Sequence, residues 1–194
     1  MLLSQVSFVV RLQGERLVCH NRRTVISIDG CYLRLIAEEL NELCKSDGPS
    51  LVVFEEFLGY LDNGPQRVSS SRVLDMGRDW QLIPFLIGRG SELLLGGSVL
   101  GEVDYGYGPV RYLTPDQVQS VWKVLASVTK SALRSQFQPA RLDADKVYPG
   151  GWSLCYDEPF LSLEFERLWV GFEGLATFFR EASSANDYIL CWQM

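Results

Sequence analysis

The longest apolar repeat lies near the carboxyl end and predicts a helix that needs packing partners on most of its sides. Its core positions recur at helical spacing and are Leu161, Phe165, Leu168, Phe172, Leu175 and Phe179. The apolar face is widened by Leu163, Trp169, Val170, Ala176 and Phe178. Gly171 and Gly174 within the repeat predict close approach of another backbone. The remaining charges predict a solvated rim and are Glu164, Glu166, Glu173 and Arg180. A helix buried nearly all round requires other layers of structure to cover it.

A pair of helices is predicted upstream by clear local signals. Thr114 has the character of an N-cap, Pro115 occupies the first helical position, and Gln117 completes a capping box. A second helix is predicted to begin near Thr129 or Ser131. These signals depend on neighbouring residues alone, so they predict helix boundaries independently of the fold.

The other segments predict a mixture of short helices and few strands. Residues 25–35 are rich in β-branched and aromatic side chains about Gly30, which predicts a strand with a bend. Residues 36–44 have an amphipathic helical pattern, and residues 188–192 predict a strand. The apolar run of residues 51–61 is compatible with a strand or a buried helix, and its pair of glutamates between phenylalanines favours the helix. Residues 79–87 predict a short buried helix that is kinked or begins late because of Pro84. Together the segments predict one mixed α/β or α+β domain.

A change of composition near Val25 predicts a domain boundary. Residues 1–25 contain four arginines and one glutamate, a net charge of +3, whereas the whole chain carries −6. Their apolar alternation is consistent with an added hairpin, and the alternative is an N-terminal extension without settled structure. We therefore expect an extension over residues 1–25 and the domain proper over residues 26–194.

Charge and hydropathy bear on the kind of partner the protein could have. The net charge of −6 argues against nucleic acid, because binding to phosphates needs clustered Lys and Arg. No apolar run approaches the roughly 20 residues of a membrane-spanning helix, so no membrane partner is expected. A protein partner is possible, and a small-molecule ligand remains open.

The cysteine pattern predicts free thiols. The five cysteines are far apart, odd in number and lie mostly in apolar runs: Cys19, Cys31, Cys44, Cys155 and Cys191. This pattern matches neither a disulfide framework nor a metal knuckle, and it predicts buried or half-buried thiols in a cytoplasmic protein.

The scarcity of histidine limits the chemistry that the chain could perform. His20 is the single histidine and lies outside the predicted domain, so a catalytic triad or a histidine-ligated metal has almost no residues to use. The sequence also lacks a Walker loop, and Pro109 directly after Gly108 is incompatible with a dinucleotide fingerprint. We expect no metal and no cofactor.

The order of several motifs resembles the YfbM-like family, small bacterial proteins of unknown function. The motifs are Leu74-Asp75, Asp79-Trp80, Phe85-Leu86 with Gly88, Leu95-Gly96-Gly97, the run of residues 106–115, Phe137-x-Pro139 and the run of residues 147–152. The resemblance implies one compact α/β domain with helices layered on a small sheet, and it implies no established activity. Pro84 stands where many relatives carry a histidine, which removes a candidate acid–base group.

The segment of residues 101–112 is the first candidate for a ligand site. It places an acid, a base and three phenols between glycines just before a predicted helix N-terminus: Asp104, Tyr105, Tyr107, Arg111 and Tyr112. These groups could hold a small polar ligand or a peptide carboxylate. Alternatively, the glycines form turns while the Tyr and Arg side chains pack the sheet against the helices.

Two further clusters are secondary candidates. Asp75 and Asp79 could perform acid–base work if one carboxyl were desolvated beside Trp80. More commonly such an Asp caps a helix and such a Trp fills the core. Tyr148 and Trp152 flank a Pro-Gly-Gly turn that could form the rim of a pocket, or pack the turn in place.

The composition favours a binding or interaction protein rather than an enzyme. Five Trp and eight Tyr with an acidic surface are typical of protein-recognition faces. One concrete form is an immunity-type protein that neutralises a basic toxin. The alternative is a small histidine-independent enzyme, hydrolase-like, that uses carboxylate, Tyr and Arg groups in the Gly- and Tyr-rich loop.

Overall fold

Five strands form one antiparallel sheet that separates the core into two apolar clusters, one on each face. The structure is a computed structural model and describes residues 28–45, 54, 70–104, 107–155 and 158–194. The strands are β1 (Gly30–Leu35), β2 (Val73–Asp75), β3 (Ser98–Asp104), β4 (Pro109–Leu113) and β5 (Tyr188–Gln193). Their spatial order is β2-β1-β5-β4-β3, with every neighbouring pair antiparallel. The carboxyl-terminal strand therefore lies at the centre of the sheet.

Seven α-helices surround this sheet in the described part of the chain. They are α1 (Ala37–Cys44), α2 (Leu82–Ile87), α3 (Pro115–Ser127), α4 (Lys130–Gln136), α5 (Pro139–Ala144), α6 (Trp152–Cys155) and α7 (Glu158–Ala185). Short 3₁₀ helices cover Ser70–Arg72, Gly77–Trp80 and Glu92–Leu95. The mixed α/β class, with helices layered on a small sheet in one domain, is thereby confirmed.

The two faces of the sheet contribute to two apolar clusters. Along β5, Ile189 and Cys191 belong to the cluster beneath α3 and α7, whereas Leu190 and Trp192 belong to the cluster beneath α1. This alternation follows from the two-residue period of a strand. Because β5 is buried on both faces, its sequence is apolar without interruption from Ile189 to Trp192.

Local capping signals place α3 and α4 where the sequence predicts them. The Thr114 amide donates to Gln117 Oε1 at 2.9 Å, and Thr114 Oγ1 accepts from the Gln117 amide at 3.5 Å. Thr129 Oγ1 accepts from the Ala132 amide at 3.2 Å and caps α4. Pro84 lies in the first turn of α2, where its missing N–H costs no helical hydrogen bond. The late helix start predicted for this segment is confirmed.

Helix α7 differs from its prediction on one side. It packs against α3, but Leu163 and Val170 are each 67% exposed, so the helix is not buried nearly all round. A Cβ on Gly171 would meet an Asp79 carboxylate oxygen at 3.7 Å rather than a backbone, and a Cβ on Gly174 would meet nothing within 4 Å. The predicted backbone approach at both glycines is wrong, because Gly171 faces a side chain of the Gly77–Trp80 turn and Gly174 faces open space.

Residues 101–112 also differ from their prediction as a loop. Most of them form the facing strands β3 and β4, and a register shift between Val99 and Asp104 marks a bulge. The helix predicted over residues 51–61 and the hairpin or extension predicted over residues 1–25 lie outside the described residues, except that Phe54 is helical and buried. No described helix is long and apolar enough to cross a membrane.

Candidate functional site

The first candidate residues lie along the β3–β4 hairpin. Asp104 ends β3, and its Oδ1 accepts from the Gly108 amide at 3.3 Å. Tyr107 is exposed at the turn, while Tyr105 lies outside the described residues. Arg111 and Tyr112 follow on β4. The described candidates are thus spread from the tip of the hairpin to its base.

Strand geometry sends Arg111 and Tyr112 to opposite faces of the sheet. Arg111 lies opposite Cys191 in the neighbouring strand and donates from Nη1 to the Gly97 carbonyl at 3.1 Å. Tyr112 packs against the other cluster, beneath α1. Successive strand residues point to opposite faces, so these two side chains cannot converge on one ligand. The Arg111 side chain therefore binds the backbone just before β3 through its hydrogen bond to the Gly97 carbonyl.

The secondary candidates Asp75 and Asp79 have separate partners. Asp75 Oδ1 accepts from the Gly77 amide at 2.7 Å and closes a turn after β2. Asp79 is only 3% exposed and receives a bidentate ion pair from Arg167 on α7, with distances of 2.7 and 2.8 Å. Both oxygens of this buried carboxylate therefore have a charged hydrogen-bond donor.

The Asp79 ion pair extends into a four-residue charge network. Glu164 accepts from Arg167 Nη2 at 2.6 Å and from Arg78 Nη2 at 2.9 Å, which joins α7 to the 3₁₀ turn at Gly77–Trp80. Hydrogen bonding to Asp79 raises the pKa of Arg167 above its ordinary value. Burial opposes ionisation of Glu164, but Arg167 and Arg78 outweigh it and lower the pKa of Glu164. These two shifts favour the charged forms of Arg167 and Glu164, which suits a structural role better than proton transfer.

Sequence reasoning did not find this network. Glu164 was predicted on a solvated rim, yet its side chain is mostly covered. The role of Arg167 has no sequence signal, because its partner lies 88 residues away and no local pattern links the two. An inward-facing Asp in the otherwise apolar segment of residues 79–87 was the one available signal.

Trp80 and Tyr148 hold the chain in place just before β1. Trp80 Nε1 donates to the Ile28 carbonyl at 2.9 Å, and the Ile28 amide donates to Tyr148 Oη at 2.9 Å. The two rings lie 6.4 Å apart. Gly30 is required beneath the indole, because an ideal Cβ there would lie 2.2 Å from Trp80 Cβ. These aromatic residues therefore clamp a backbone segment of the protein itself.

Trp152 lies in the core, apart from that clamp. It is 1% exposed, donates from Nε1 to the Val147 carbonyl at 2.9 Å, and packs edge-on against Phe137. The carboxylate of Asp143 accepts from the Trp152 amide and from Ser153, and the hydrogen bonds to Ser153 lower the pKa of Asp143. The arrangement fixes the start of α6.

Two open cavities lie away from the hairpin. One, of about 390 Å³, lies between α4 and α7, and the other, of about 430 Å³, lies among α2, α4 and α5. No described residue of the β3–β4 hairpin lines either of them. Their sizes fall within the range typical of small-ligand sites.

The exposed side of α7 has an apolar surface. Phe160, Leu163 and Val170 form what we term the α7 stripe, with Leu163 and Val170 one heptad apart. Each of these two is followed three residues later by an exposed acid, Glu166 and Glu173. The prediction that this helix is buried nearly all round did not allow for this exposed apolar surface.

The thiols and carboxylates do not combine into a metal site within the described ranges. No group of three or more His, Cys, Asp or Glu residues is placed there to hold an ion. Cys31, Cys44 and Cys191 are free thiols, as predicted, although Cys44 is exposed rather than buried. Burial raises the pKa of Cys191 to about 12, and burial with the nearby Asp75 raises that of Cys31 to about 12.

Comparison with known proteins identifies the family. The chain is similar to the protein of unknown function YfbM from Escherichia coli, with 19% sequence identity and a TM-score of 0.61. That likeness covers 86% of this chain and 99% of that one, and it shows the fold. No curated protein sequence matches the chain. The family model described as "Domain of unknown function (DUF1877)" matches residues 26–192. The YfbM-like resemblance is thus confirmed, and the chain belongs to the DUF1877 family.

Proposed function

We propose that the protein is a non-enzymatic binding protein whose α7 stripe docks on a basic protein partner. The observation that carries this proposal is the 67% exposure of both Leu163 and Val170 on a 28-residue helix whose opposite side is core. Single exposed apolar residues are ordinary, but a row of them with a polar border is typical of an interaction surface.

Helix geometry places the apolar members of the stripe in one row. Seven residues make nearly two turns, so Leu163 and Val170 share a face about 10 Å apart, with exposed Glu166 and Arg167 in the turn between them. Phe160 extends the row by one turn. Spacings of three and seven residues are the usual anchors of a helix laid into a groove. The stripe can therefore engage a partner as a rigid edge, with little ordering cost because the helix is already packed from behind.

Charge gives the partner its expected chemistry. Glu158 and Glu173 are exposed on α7 and form no ion pair with any described residue, while the whole chain carries −6. Unpaired acids around an apolar row attract a basic surface and speed its association. An immunity-type protein that blocks a basic toxin is one concrete form of this function. The free thiols are consistent with a cytoplasmic setting.

The test is quantitative affinity capture from the native host with three forms of the protein. The stripe variant is Leu163→Glu with Val170→Glu, which places charge where we expect apolar contact. The matched control is Val99→Glu, the same kind of change at an apolar residue that is 47% exposed on β3. We expect a basic protein to be retained by the wild type and the control and to fall by about tenfold or more with the stripe variant.

Three outcomes would contradict the proposal. The first is that no captured protein depends on the stripe. The second is that the dependent partner is acidic. The third is that the stripe is covered by a second copy of the chain, which would appear as a concentration-dependent dimer in sedimentation experiments that the stripe variant abolishes.

A further inference from the structure

The cleft between α4 and α7 contains an arginine held in position by aromatic rings. The cleft of about 390 Å³ is lined by Lys130, Ser131, Arg134, Ser162, Phe165 and Glu166. The guanidinium carbon of Arg134 lies 5.2 Å from the ring centre of Phe165 and 5.9 Å from that of Phe137. A guanidinium over aromatic faces is oriented without using its N–H donors.

The donors of Arg134 are unused within the described chain. Its side chain makes no hydrogen bond or ion pair with any described residue, whereas the neighbouring Lys130 is paired with Glu166 at 2.6 Å. The lining charges therefore sum to +1, located on Arg134. In a protein of net charge −6, an unpaired and partly buried guanidinium in a cleft is a site for an anion.

We propose that this cleft binds a carboxylate monoanion. The guanidinium fork of Arg134 takes the two carboxylate oxygens and the Ser162 hydroxyl adds a donor, while the buried Phe165 ring, 2% exposed, orients the guanidinium from behind. One net positive charge matches a carboxylate better than a phosphate dianion, and the acidic surface repels polyanions. The site is separate from the α7 stripe and does not depend on the proposed docking function.

The test is an NMR titration of the full chain with phenylacetate as the probe. Phenylacetamide, which has the same ring without the charge, and inorganic phosphate, which has charge without the ring, serve as comparison ligands. The test variant is Arg134→Gln. The matched control is Arg141→Gln, because Arg141 likewise stacks on a phenylalanine, with its guanidinium carbon 5.1 Å from the Phe85 ring centre. Thermal unfolding of each variant establishes that it is folded.

We expect saturable shifts at the amides that line the cleft. Affinity for phenylacetate should fall about tenfold with Arg134→Gln and stay within about twofold with Arg141→Gln, as expected for a charge-assisted contact. Phenylacetamide and phosphate should each bind about tenfold more weakly than phenylacetate. If Arg134→Gln does not fold, Arg134→Lys replaces it and should weaken binding several-fold, because the fork geometry is lost.

Three results would contradict the carboxylate site at Arg134. The absence of saturable shifts at the cleft up to about 20 mM phenylacetate would overturn the proposal, since millimolar affinity is the weakest that we would count as a site. Equal affinity of wild type and the Arg134 variant would do so as well. Binding of phosphate as strongly as phenylacetate would identify general anion attraction instead.

Discussion

Removing the guanidinium of Arg167 should destabilise the fold far more than removing another charge from the same helix. The Arg167→Met variant retains an unbranched side chain in place of the aliphatic part of the arginine, while it leaves the Asp79 carboxylate, 3% exposed, without its bidentate partner. Water cannot readily replace hydrogen bonds at such a buried oxygen. The change therefore tests whether the network joins α7 to the turn at Gly77–Trp80.

The magnitude follows from the unequal exposure of the two partners. Breaking a fully buried ion pair costs about 3–5 kcal/mol, and breaking an exposed one costs about 0–1 kcal/mol. Asp79 is buried but the Arg167 side chain is 45% exposed, so solvent screens part of the interaction. We expect Arg167→Met to lower the free energy of unfolding by about 2–3 kcal/mol at neutral pH.

The assay is urea unfolding followed by circular dichroism in a double-mutant cycle with Asp79→Asn. If the pair acts directly, the double variant should be less destabilised than the sum of the single variants by at least about 1 kcal/mol. Arg180→Met is the control, because Arg180 is exposed on α7 and forms no ion pair with any described residue, and it should change stability by less than about 0.5 kcal/mol. A cost for Arg167→Met equal to that of the control, or strict additivity in the cycle, would refute the reasoning.

Three other perturbations have defined outcomes. Gly30→Ala places a Cβ 2.2 Å from Trp80 Cβ and should cost about 1–3 kcal/mol in urea unfolding. Gly174→Ala meets nothing within 4 Å and should stabilise the helix by about 0.5–1 kcal/mol; the reverse order would contradict the packing. Because the folded-state pKa of Glu164 is lowered, its contribution to stability is present above the ordinary glutamate pKa and is lost as pH falls through the folded value. Wild type should thus lose more stability than Glu164→Gln between about pH 5 and about pH 3, and parallel losses would disprove the effect. Iodoacetamide at about pH 8 should label exposed Cys44 well before buried Cys191, whose pKa is raised to about 12, as mass mapping of peptides would show; equal labelling rates would contradict that burial.

Signals that depend on adjacent residues were readable from the sequence. The capping box at Thr114 and the cap at Thr129 involve partners three residues apart, so their chemistry is complete within a short segment. The apolar repeat likewise predicted the existence and course of α7. It could not predict which apolar residues stay exposed, because that depends on where other elements end. Leu163 and Val170 have the same character as the buried positions and differ only in having no described cover.

The β3–β4 hairpin was hidden by its bulge. Leu100 and Val103 both belong to the cluster beneath α1 although they are three residues apart. This spacing breaks the two-residue alternation of apolar and polar side chains that predicts a strand. The candidate site on this segment was consequently read as a loop. Contacts between distant segments, such as Asp79 with Arg167, leave no local pattern and require the fold to be known.

Native mass spectrometry of the untagged protein from its own host tests the central claim most directly. The account predicts a basic polypeptide bound one-to-one to the wild type and to Val99→Glu, and absent from the Leu163→Glu, Val170→Glu variant. A bare chain in all three preparations, or a partner whose retention is the same in all three, would contradict the claim that the α7 stripe is the docking surface.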